Sequence, residues 1–201
     1  MRITTAKNAG FCPGVKRATG FIEALLESQT QSKIYTLGTL IHNPVYTQSL
    51  EKRGVRSVSL DRMKEILDAE KEHAHTLIIR THGIPREEEA LLRSWEALYP
   101  NFHVEDMTCP YVKRIHKIAA EESTADTVFL LLGSHEHPEV RGIMSYVNGE
   151  GYSFTTCEEL KSLCSSMKFE QKKVILTAQT TQSLTEFKKC KKDFCHLLSR
   201  K

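Results

Sequence analysis

The chain has 201 residues, of which 26% are charged and 40% are apolar, and its net charge is +3. This length allows one or two ordinary globular domains, and the interspersed charge argues against a nucleic-acid partner and suits a small anionic ligand. No apolar run approaches a membrane span, and the N-terminus lacks the apolar core of a signal peptide, so we expect a cytoplasmic protein with no membrane partner.

Short β-rich segments alternate with amphipathic segments along the chain, a pattern that predicts parallel sheets flanked by helices. Strands are predicted at residues 2–6, 33–37, 55–59, 76–80, 102–107, 127–132 and 173–177. Helices are predicted at residues 14–28, 44–53, 60–69, 86–98, 110–122, 139–147, 157–165 and 182–198. The strand at 127–132 is almost continuously apolar, which is typical of a strand covered on both faces.

A six-residue motif occurs twice. Residues 12–17 read C-P-G-V-K-R and residues 109–114 read C-P-Y-V-K-R, a match at five of six positions with a shift of 97. The same shift places Thr81-His82-Gly83 on Ala178-Gln179-Thr180. Self-similarity at a fixed shift indicates a structural repeat. The sequence therefore predicts two pseudosymmetric α/β lobes, a first at residues 1–101 and a second at residues 102–201.

Polar side chains cluster where the predicted strands end. Cysteine, histidine, threonine, glutamine or glutamate follows six of the seven strands, next to a predicted helix start. In parallel α/β sheets ligands bind at the carboxyl ends of the strands, and the helix N-termini there attract anions. This edge is the predicted ligand site.

Cys12 and Cys109 hold matching positions in the two motifs, each before a proline and a helix that carries Lys and Arg. A lone cysteine is usually a small buried hydrophobe, but the duplicated context favours a pair of thiolates at helix N-termini. Thiolates in a reducing compartment bind zinc or an iron–sulfur cluster, although two are too few for either site in its usual form. The other four cysteines are interpreted as structural, and no disulfide framework is expected. Cys195 is a weak candidate for a third thiolate.

His42, His82 and His137 each follow a predicted strand. A single loop histidine is usually just solvated, but three at equivalent edges could donate hydrogen bonds to a phosphate. Glu139 lies two residues after His137, at a predicted helix start. The residues alone favour a helix-start acid there, and a proton donor in a dry cavity is the functional alternative.

Several motifs together resemble 4-hydroxy-3-methylbut-2-enyl diphosphate reductase, the last enzyme of the methylerythritol phosphate route to isoprenoids. They are Gly10-Phe11-Cys12-Pro13-Gly14-Val15, Ile41-His42-Asn43, Thr81-His82-Gly83-Ile84, Thr108-Cys109-Pro110, His137-Pro138-Glu139-Val140 and Gln179-Thr180-Thr181. The family's fold has three α/β lobes around a central cavity, and each lobe gives one cysteine to a [4Fe-4S] cluster. The resemblance implies that this chain holds two-thirds of such a trefoil.

The resemblance also implies roles. Cys12 and Cys109 would be cluster ligands, while His42, His82 and His137 would bind the diphosphate. Glu139 would deliver a proton to the substrate hydroxyl, with Thr180 orienting it and Gln179 supporting the network. The reaction would be reductive dehydroxylation to isopentenyl and dimethylallyl diphosphate, with electrons from a ferredoxin or flavodoxin.

Nothing after Thr181 resembles the family's third lobe, so no third cluster cysteine is identified in this chain. We therefore expect a truncated chain, a piece of a split enzyme whose third lobe is a separate chain, or a decayed copy. The alternatives to the reductase are a non-catalytic diphosphate-binding remnant and a zinc-binding α/β protein closed by the two cysteines and nearby histidines.

Overall fold

The computed structural model describes residues 3–4, 9–28, 31–166 and 172–198. Within these residues it contains seven strands and eight helices, which form two compact units. The strand predicted at 2–6 falls mostly outside the described residues, and the described residues 3–4 have no regular structure. None of the helices in these ranges is long and apolar enough to cross a membrane.

The first unit comprises residues 1–81 and 91–109 and is built on a parallel four-stranded sheet. The strand order is β2-β1-β3-β4. The strands are β1 (Lys33–Leu37), β2 (Arg56–Val58), β3 (His75–Ile79) and β4 (Phe102–Asp106). The helices are α1 (Pro13–Glu27), α2 (Pro44–Lys52), α3 (Leu60–Ala69) and α4 (Arg86–Leu98), whose first turn belongs to the second unit.

The second unit comprises residues 82–90 and 110–201 and is built on a parallel three-stranded sheet of order β6-β5-β7. The strands are β5 (Thr127–Leu132), β6 (Glu150–Phe154) and β7 (Lys173–Ala178). The helices are α5 (Pro110–Glu122), α6 (Pro138–Ser145), α7 (Cys157–Ser166) and α8 (Leu184–Leu198). These parallel sheets with flanking helices confirm the predicted α/β class.

Helix starts follow the sequence signals closely. Proline occupies the first position of α1, α2, α5 and α6, where its missing N–H costs no hydrogen bond. Asn43 caps α2 by accepting a hydrogen bond from the Tyr46 N–H at 3.1 Å, and Ser59 caps α3 in the same way. Each cap satisfies a backbone donor that the helix itself leaves unpaired.

The sheet topology repeats between the units. The order β2-β1-β3 in the first unit corresponds to β6-β5-β7 in the second. The strand register, however, does not match the 97-residue shift everywhere. Leu37 pairs with Ile79 at the end of β3, as Leu132 pairs with Ala178 at the end of β7. By this register Gln179 corresponds to the residue after Ile79, two positions before His82.

The units differ from the predicted division at residue 101. β4 was expected in the second lobe, but it pairs with β3 in the first sheet, because its alternate residues Phe102 and Val104 are buried against that unit. Residues 82–90 belong instead to the second unit, where the Arg86 N–H donates to Ser145 Oγ at 2.8 Å. The Tyr146 hydroxyl also donates to a carboxylate of this segment, that of Glu89, at 2.6 Å.

β5 is the centre of the second unit, and all six of its residues are buried. Successive side chains of a strand point to opposite faces of the sheet, so alternate residues of β5 pack in two separate cores. Val128, Leu130 and Leu132 pack in the cluster that contains Cys157, Cys164, Cys190 and Phe194. Phe129 and Leu131 pack in the cluster that contains Ala119, Val140 and Ile143. The prediction of a strand covered on both faces is therefore confirmed.

No disulfide framework was expected, but the structure contains one disulfide, between two of the cysteines interpreted as structural. Cys157 at the start of α7 and Cys190 in α8 form a disulfide, with their Cα atoms 5.1 Å apart. Both residues are completely buried, because α7 and α8 pack on the same face of β5. Spacing along a helical stripe predicted the burial of Cys190, but it could not show which residue of another helix lies opposite.

Candidate functional site

Cys12 lies immediately before α1 and takes the capping position of that helix. Its backbone is extended, and its carbonyl accepts the first helical hydrogen bond, from the Lys16 N–H at 2.8 Å. Its side chain makes no capping hydrogen bond, and the residue is exposed. The thiol therefore stands at the positive end of a helix.

Cys109 packs against the start of the same helix. A methyl group placed on Gly14 would lie only 2.8 Å from Cys109 Sγ, so the absence of a side chain at residue 14 makes room for this thiol. Arg17, one turn further along α1, donates to the Thr108 carbonyl at 2.7 Å and ties the helix to the Cys109 loop. The structure thus brings Cys12 and Cys109 to one end of α1. Gly14 and Arg17 are part of this arrangement and were not singled out from the sequence.

The loops that follow β1, β3 and β4 are joined at the carboxyl edge of the first sheet. The Thr81 hydroxyl donates to the Leu40 carbonyl at 3.3 Å, and the Cys109 N–H donates to the Thr81 carbonyl at 2.9 Å. His42 belongs to the loop after β1 and is exposed. The first unit therefore presents Cys12, Cys109 and His42, the three predicted site residues that it contains, on loops or a helix start.

An aromatic contact supports the segment before Cys12. The Phe11 ring meets the Tyr46 ring edge-on at 6.1 Å, and the Tyr46 hydroxyl donates to the Glu23 carboxylate at 3.3 Å. Burial, followed by the charge and hydrogen bond of Glu23, raises the pKa of Tyr46 to about 12. The Arg53 guanidinium holds the pKa of Glu23 below its usual value through two hydrogen bonds, at 2.9 and 2.6 Å.

In the second unit His82 and His137 lie side by side. Their rings meet edge to face with centroids 5.6 Å apart, and both residues are partly exposed. His137 Nδ1 accepts a hydrogen bond from the Glu139 N–H at 3.1 Å. Because Nδ1 is the acceptor, the proton of a neutral His137 lies on Nε2.

Glu139 is buried, with 1% of its surface exposed. One carboxylate oxygen accepts from the Thr180 N–H at 2.6 Å and the other accepts from the Thr180 hydroxyl at 3.0 Å. A helix-start acid of the ordinary kind points into solvent, and this one does not. The carboxylate instead links the start of α6 to the loop that follows β7, and the backbone N–H of the same residue donates to His137.

Gln179 holds the loop after β7 in place. It is buried, its N–H donates to the Leu132 carbonyl at 2.8 Å, and its side-chain amide donates to Thr181 Oγ1 at 2.9 Å. A methyl group on Gly133 would lie 3.0 Å from Gln179 Cβ and 2.7 Å from Val140 Cγ2. Gly133 is thus a second glycine whose missing side chain permits a site contact, and its role was not predicted from the sequence.

Two other cysteines, Cys164 and Cys195, are not disulfide-bonded. Cys164 is buried in the core of the second unit, and Cys195 lies exposed on α8. Cys195, the weak candidate for a third thiolate, has no described link to the strand ends that carry the other predicted residues. Glu186 lies beside the disulfide, with its carboxylate 3.2 Å from Cys157 Sγ.

The two units define a repeated parallel α/β protein in which Cys109, the histidines and the buried carboxylate follow strand ends, where such sheets bind their ligands, while Cys12 stands at a helix start. The chain belongs to the LytB protein family, whose model matches residues 3–199. The family predicted from the motifs is confirmed.

Relatives and solved structures agree with this membership. The 4-hydroxy-3-methylbut-2-enyl diphosphate reductase of Aquifex aeolicus is 38% identical over 189 residues, which cover 92% of this chain and 59% of that protein. The reductase of Citrifermentans bemidjiense is also 38% identical, over 184 residues that cover 91% of this chain and 58% of that protein. This chain thus spans less than two-thirds of the length of these relatives.

A solved structure of (E)-4-hydroxy-3-methyl-but-2-enyl diphosphate reductase, the terminal enzyme of the non-mevalonate pathway, has a TM-score of 0.72 and 35% identity to this chain. It covers 96% of this chain, which in turn covers 63% of it. The Plasmodium falciparum reductase has a TM-score of 0.73 with 22% identity over 96% of this chain and 56% of its own length. That second likeness shows the fold alone.

Proposed function

We propose that this chain provides two lobes of a reductase that converts 4-hydroxy-3-methylbut-2-enyl diphosphate to isopentenyl and dimethylallyl diphosphate. The observation that carries the proposal is the buried Glu139, whose carboxylate accepts two hydrogen bonds from Thr180 and whose backbone N–H donates to His137. A carboxylate bridging two strand-end loops has the setting that a proton donor to a bound substrate needs. The names of the relatives supply the substrate, an allylic diphosphate.

The cysteine pair fits an iron–sulfur cluster in its chemistry. Cys12 and Cys109 are free thiols brought to the positive end of one helix, with Arg17 fixing the loop of the second. We propose that they hold two irons of a [4Fe-4S] cluster. When bound, the cluster supplies electrons and Lewis acidity to the reaction. The third cysteine is proposed to come from a further lobe, in the same or a separate chain.

The histidines are proposed to bind the diphosphate. His82 and His137 lie together in the second unit, and His42 occupies the loop after β1 of the first. Because His137 Nδ1 accepts the Glu139 N–H, its Nε2–H is the donor through which the ring would bind a phosphate oxygen. Protonation of any of the three would add positive charge for the anion.

Glu139 is proposed to pass the proton that lets the substrate hydroxyl leave as water. The Thr180 hydroxyl and N–H hold both carboxyl oxygens and thereby orient the group. Gln179 fixes the loop that carries Thr180 through its hydrogen bonds to Leu132 and Thr181. The overall reaction consumes two electrons and two protons, and it releases one water.

A ferredoxin or flavodoxin is proposed as the electron donor, since these carriers deliver single electrons to cluster enzymes. We also propose that the protein works in the cytoplasm without a nucleic-acid partner. A diphosphate-binding remnant would keep the histidine site and lack turnover, whereas a zinc protein would use the two thiols without sulfide.

Anaerobic reconstitution of the chain with iron and sulfide, in the presence of a separately supplied third lobe, tests the proposal. Iron, acid-labile sulfide and zinc would be measured in the wild type, Cys12→Ser, Cys109→Ser and the control Cys195→Ser. We expect iron and sulfide in the wild type and in the control, and their loss in the two site variants. Stoichiometric zinc without sulfide would contradict the cluster, and a cluster without turnover in the presence of a third lobe would favour the remnant.

A further inference from the structure

A cavity of about 520 Å³ opens in the first unit, at the β2 side of its sheet. It exists because β2 is short. The register pairs β2 only with Tyr35, Thr36 and Leu37 of β1, so Lys33 and Ile34 at the beginning of β1 have no β2 residue beside them. The volume lies within the range of small-molecule sites, about 300 to 1,000 Å³. None of the cysteines, histidines or acids proposed above lines this cavity.

The walls are divided between apolar and cationic side chains. The apolar part comprises Leu25, Leu26, Ile34, Val58 and Ile66. The cationic part comprises Lys33, Arg53, Arg56 and Arg62, and one acid, Glu70, also lines the cavity.

Most of these charges are already paired. Lys33 binds Glu70 at 2.7 Å, Arg53 binds Glu23 at 2.6 Å and Arg62 binds Glu65 at 2.6 Å. Within the described part of the chain the Arg56 side chain forms neither a hydrogen bond nor an ion pair. One guanidinium on the cavity wall is therefore not neutralised by a neighbouring acid.

Tyr35 provides a second and independent sign of a ligand. The residue is 97% buried, since only 3% of its surface is exposed, and it lines the cavity. Its ring contacts the His75 ring at 5.9 Å, but among the described residues its hydroxyl has no hydrogen-bond partner. The side chain is thus held in place by burial while its hydroxyl, which has no protein partner within the described ranges, can donate to a ligand acceptor in the cavity.

The hydroxyl lies among the charged groups of the wall. Burial is the main cause that raises the pKa of Tyr35, the Glu70 charge raises it further, and the charges of Lys33, Arg56 and Arg62 oppose the rise. Tyr35 is thus a neutral donor at physiological pH. A donor of this kind beside an unpaired guanidinium can bind the oxygens of a phosphate or carboxylate.

We propose that this cavity binds a small amphiphilic anion, with an oxyanion head held by Arg56 and the Tyr35 hydroxyl and an apolar body held by Leu25, Leu26 and Ile66. The arginine fork and the phenol both donate to acceptor oxygens, whereas the leucine and isoleucine side chains favour hydrocarbon. The site is separate from the proposed reductase site and does not depend on reductase activity.

Isothermal titration calorimetry with four probes tests this: hexyl phosphate, hexanoate, hexan-1-ol and inorganic phosphate. We expect hexyl phosphate or hexanoate to bind more tightly than either the alcohol or inorganic phosphate, and the tighter of the two acids identifies the head group. Equal binding of hexan-1-ol would overturn the role of the charge, and equal binding of inorganic phosphate would overturn the apolar body.

Three variants locate the binding. Arg56→Ala should weaken it about tenfold or more, the usual loss for a hydrogen bond to a charged group. Tyr35→Phe, which keeps the ring and removes only the hydroxyl, should weaken it about fivefold. Lys52→Ala removes one exposed positive charge of the same unit from outside the cavity and should leave the affinity within about twofold.

Thermal unfolding would confirm that each variant is folded, as expected for the exposed Arg56 and for the conservative change at Tyr35. Unchanged affinity in both Arg56→Ala and Tyr35→Phe would place the probe elsewhere and refute the proposal. Absence of binding by all four probes at millimolar concentration would refute it as well.

Discussion

Replacing Gly14 by alanine should destabilise the protein, because the new methyl group would crowd Cys109. Comparison with a second glycine of the same helix separates this effect from the gain in helix propensity. The new methyl group would lie 2.8 Å from Cys109 Sγ, which is 0.6 Å inside the 3.4 Å at which ordinary contact begins. Rotation of the thiol would not remove the problem, because Cys109 Cβ lies 3.2 Å away and moves only with the backbone. Overpacking of this kind costs about 1 to 3 kcal/mol of unfolding free energy.

Gly20 is the matched control for this substitution. It lies in the same helix, is exposed, and has nothing within 4 Å of the position of a new methyl group. Gly20→Ala should therefore raise the unfolding free energy by up to about 1 kcal/mol, the difference in helix propensity. Urea unfolding at neutral pH measures both values, and the two variants should differ by about 2 kcal/mol or more.

The same pair of variants reports on the proposed cluster. Gly14→Ala should lower the iron and sulfide retained after reconstitution, because it displaces Cys109, whereas Gly20→Ala should not. If Gly14→Ala proved as stable as Gly20→Ala and retained as much iron, Cys109 would not be packed on the start of α1, and the geometry of the proposed ligand pair would be refuted.

Three further changes have clear expected outcomes. In a complete reductase built on these units, Glu139→Gln should reduce turnover by roughly a hundred- to ten-thousandfold with unchanged iron content, and unchanged turnover would return this residue to a purely structural role. Cys190→Ser should lower the unfolding free energy of the oxidised protein by roughly 3 to 4 kcal/mol, since the bond to Cys157 spans 33 residues, and a reductant should then affect only the wild type. Arg53 lowers the pKa of Glu23, so this pair stabilises the protein above pH 4.5, the ordinary value, and the contribution is lost as pH falls through the lowered value. Both side chains are more than a third exposed, so Glu23→Gln should cost under about 1 kcal/mol at pH 7, and the cost should shrink as the pH is lowered through the pKa of the carboxylate. A loss that did not change with pH in urea unfolding would exclude the ion pair as its cause.

Hydrophobic patterning was sufficient for most strands and helices but not for β6. The strand Glu150–Phe154 was not predicted, because it contains Gly151 and only Phe154 is fully buried. β6 is an edge strand that is held by its pairing with β5, so its own sequence shows only a weak pattern of apolar residues. The sequence also could not predict which sheet contains β4, since a strand beside the repeat boundary can pair with either sheet.

The candidate site was likewise only partly predictable from the sequence. Motif matching identified Glu139 and Thr180 individually, and only the fold shows that they bond to each other across 41 positions of sequence. Gly14 and Gly133 carry no chemistry of their own, so residue type could not reveal that each makes room for a site side chain. The disulfide was not predicted because the argument from the cellular compartment applies to the protein as a whole. Formation of this disulfide depends on the packing of two particular helices, α7 and α8.

The path of the chain between the units has a consequence for dissection and for descent. The polypeptide passes from the first unit to the second after Thr81, returns after Ala90 and passes again after Cys109. His82 is therefore encoded within the first sequence repeat, yet it packs with His137 of the second unit. The sequence repeat and the compact folded unit therefore do not have the same boundaries. A fragment ending at the repeat boundary, residue 101, would contain residues 82–90 of the second unit and would lack residues 102–109 of the first. Neither half could therefore be expressed as an intact unit.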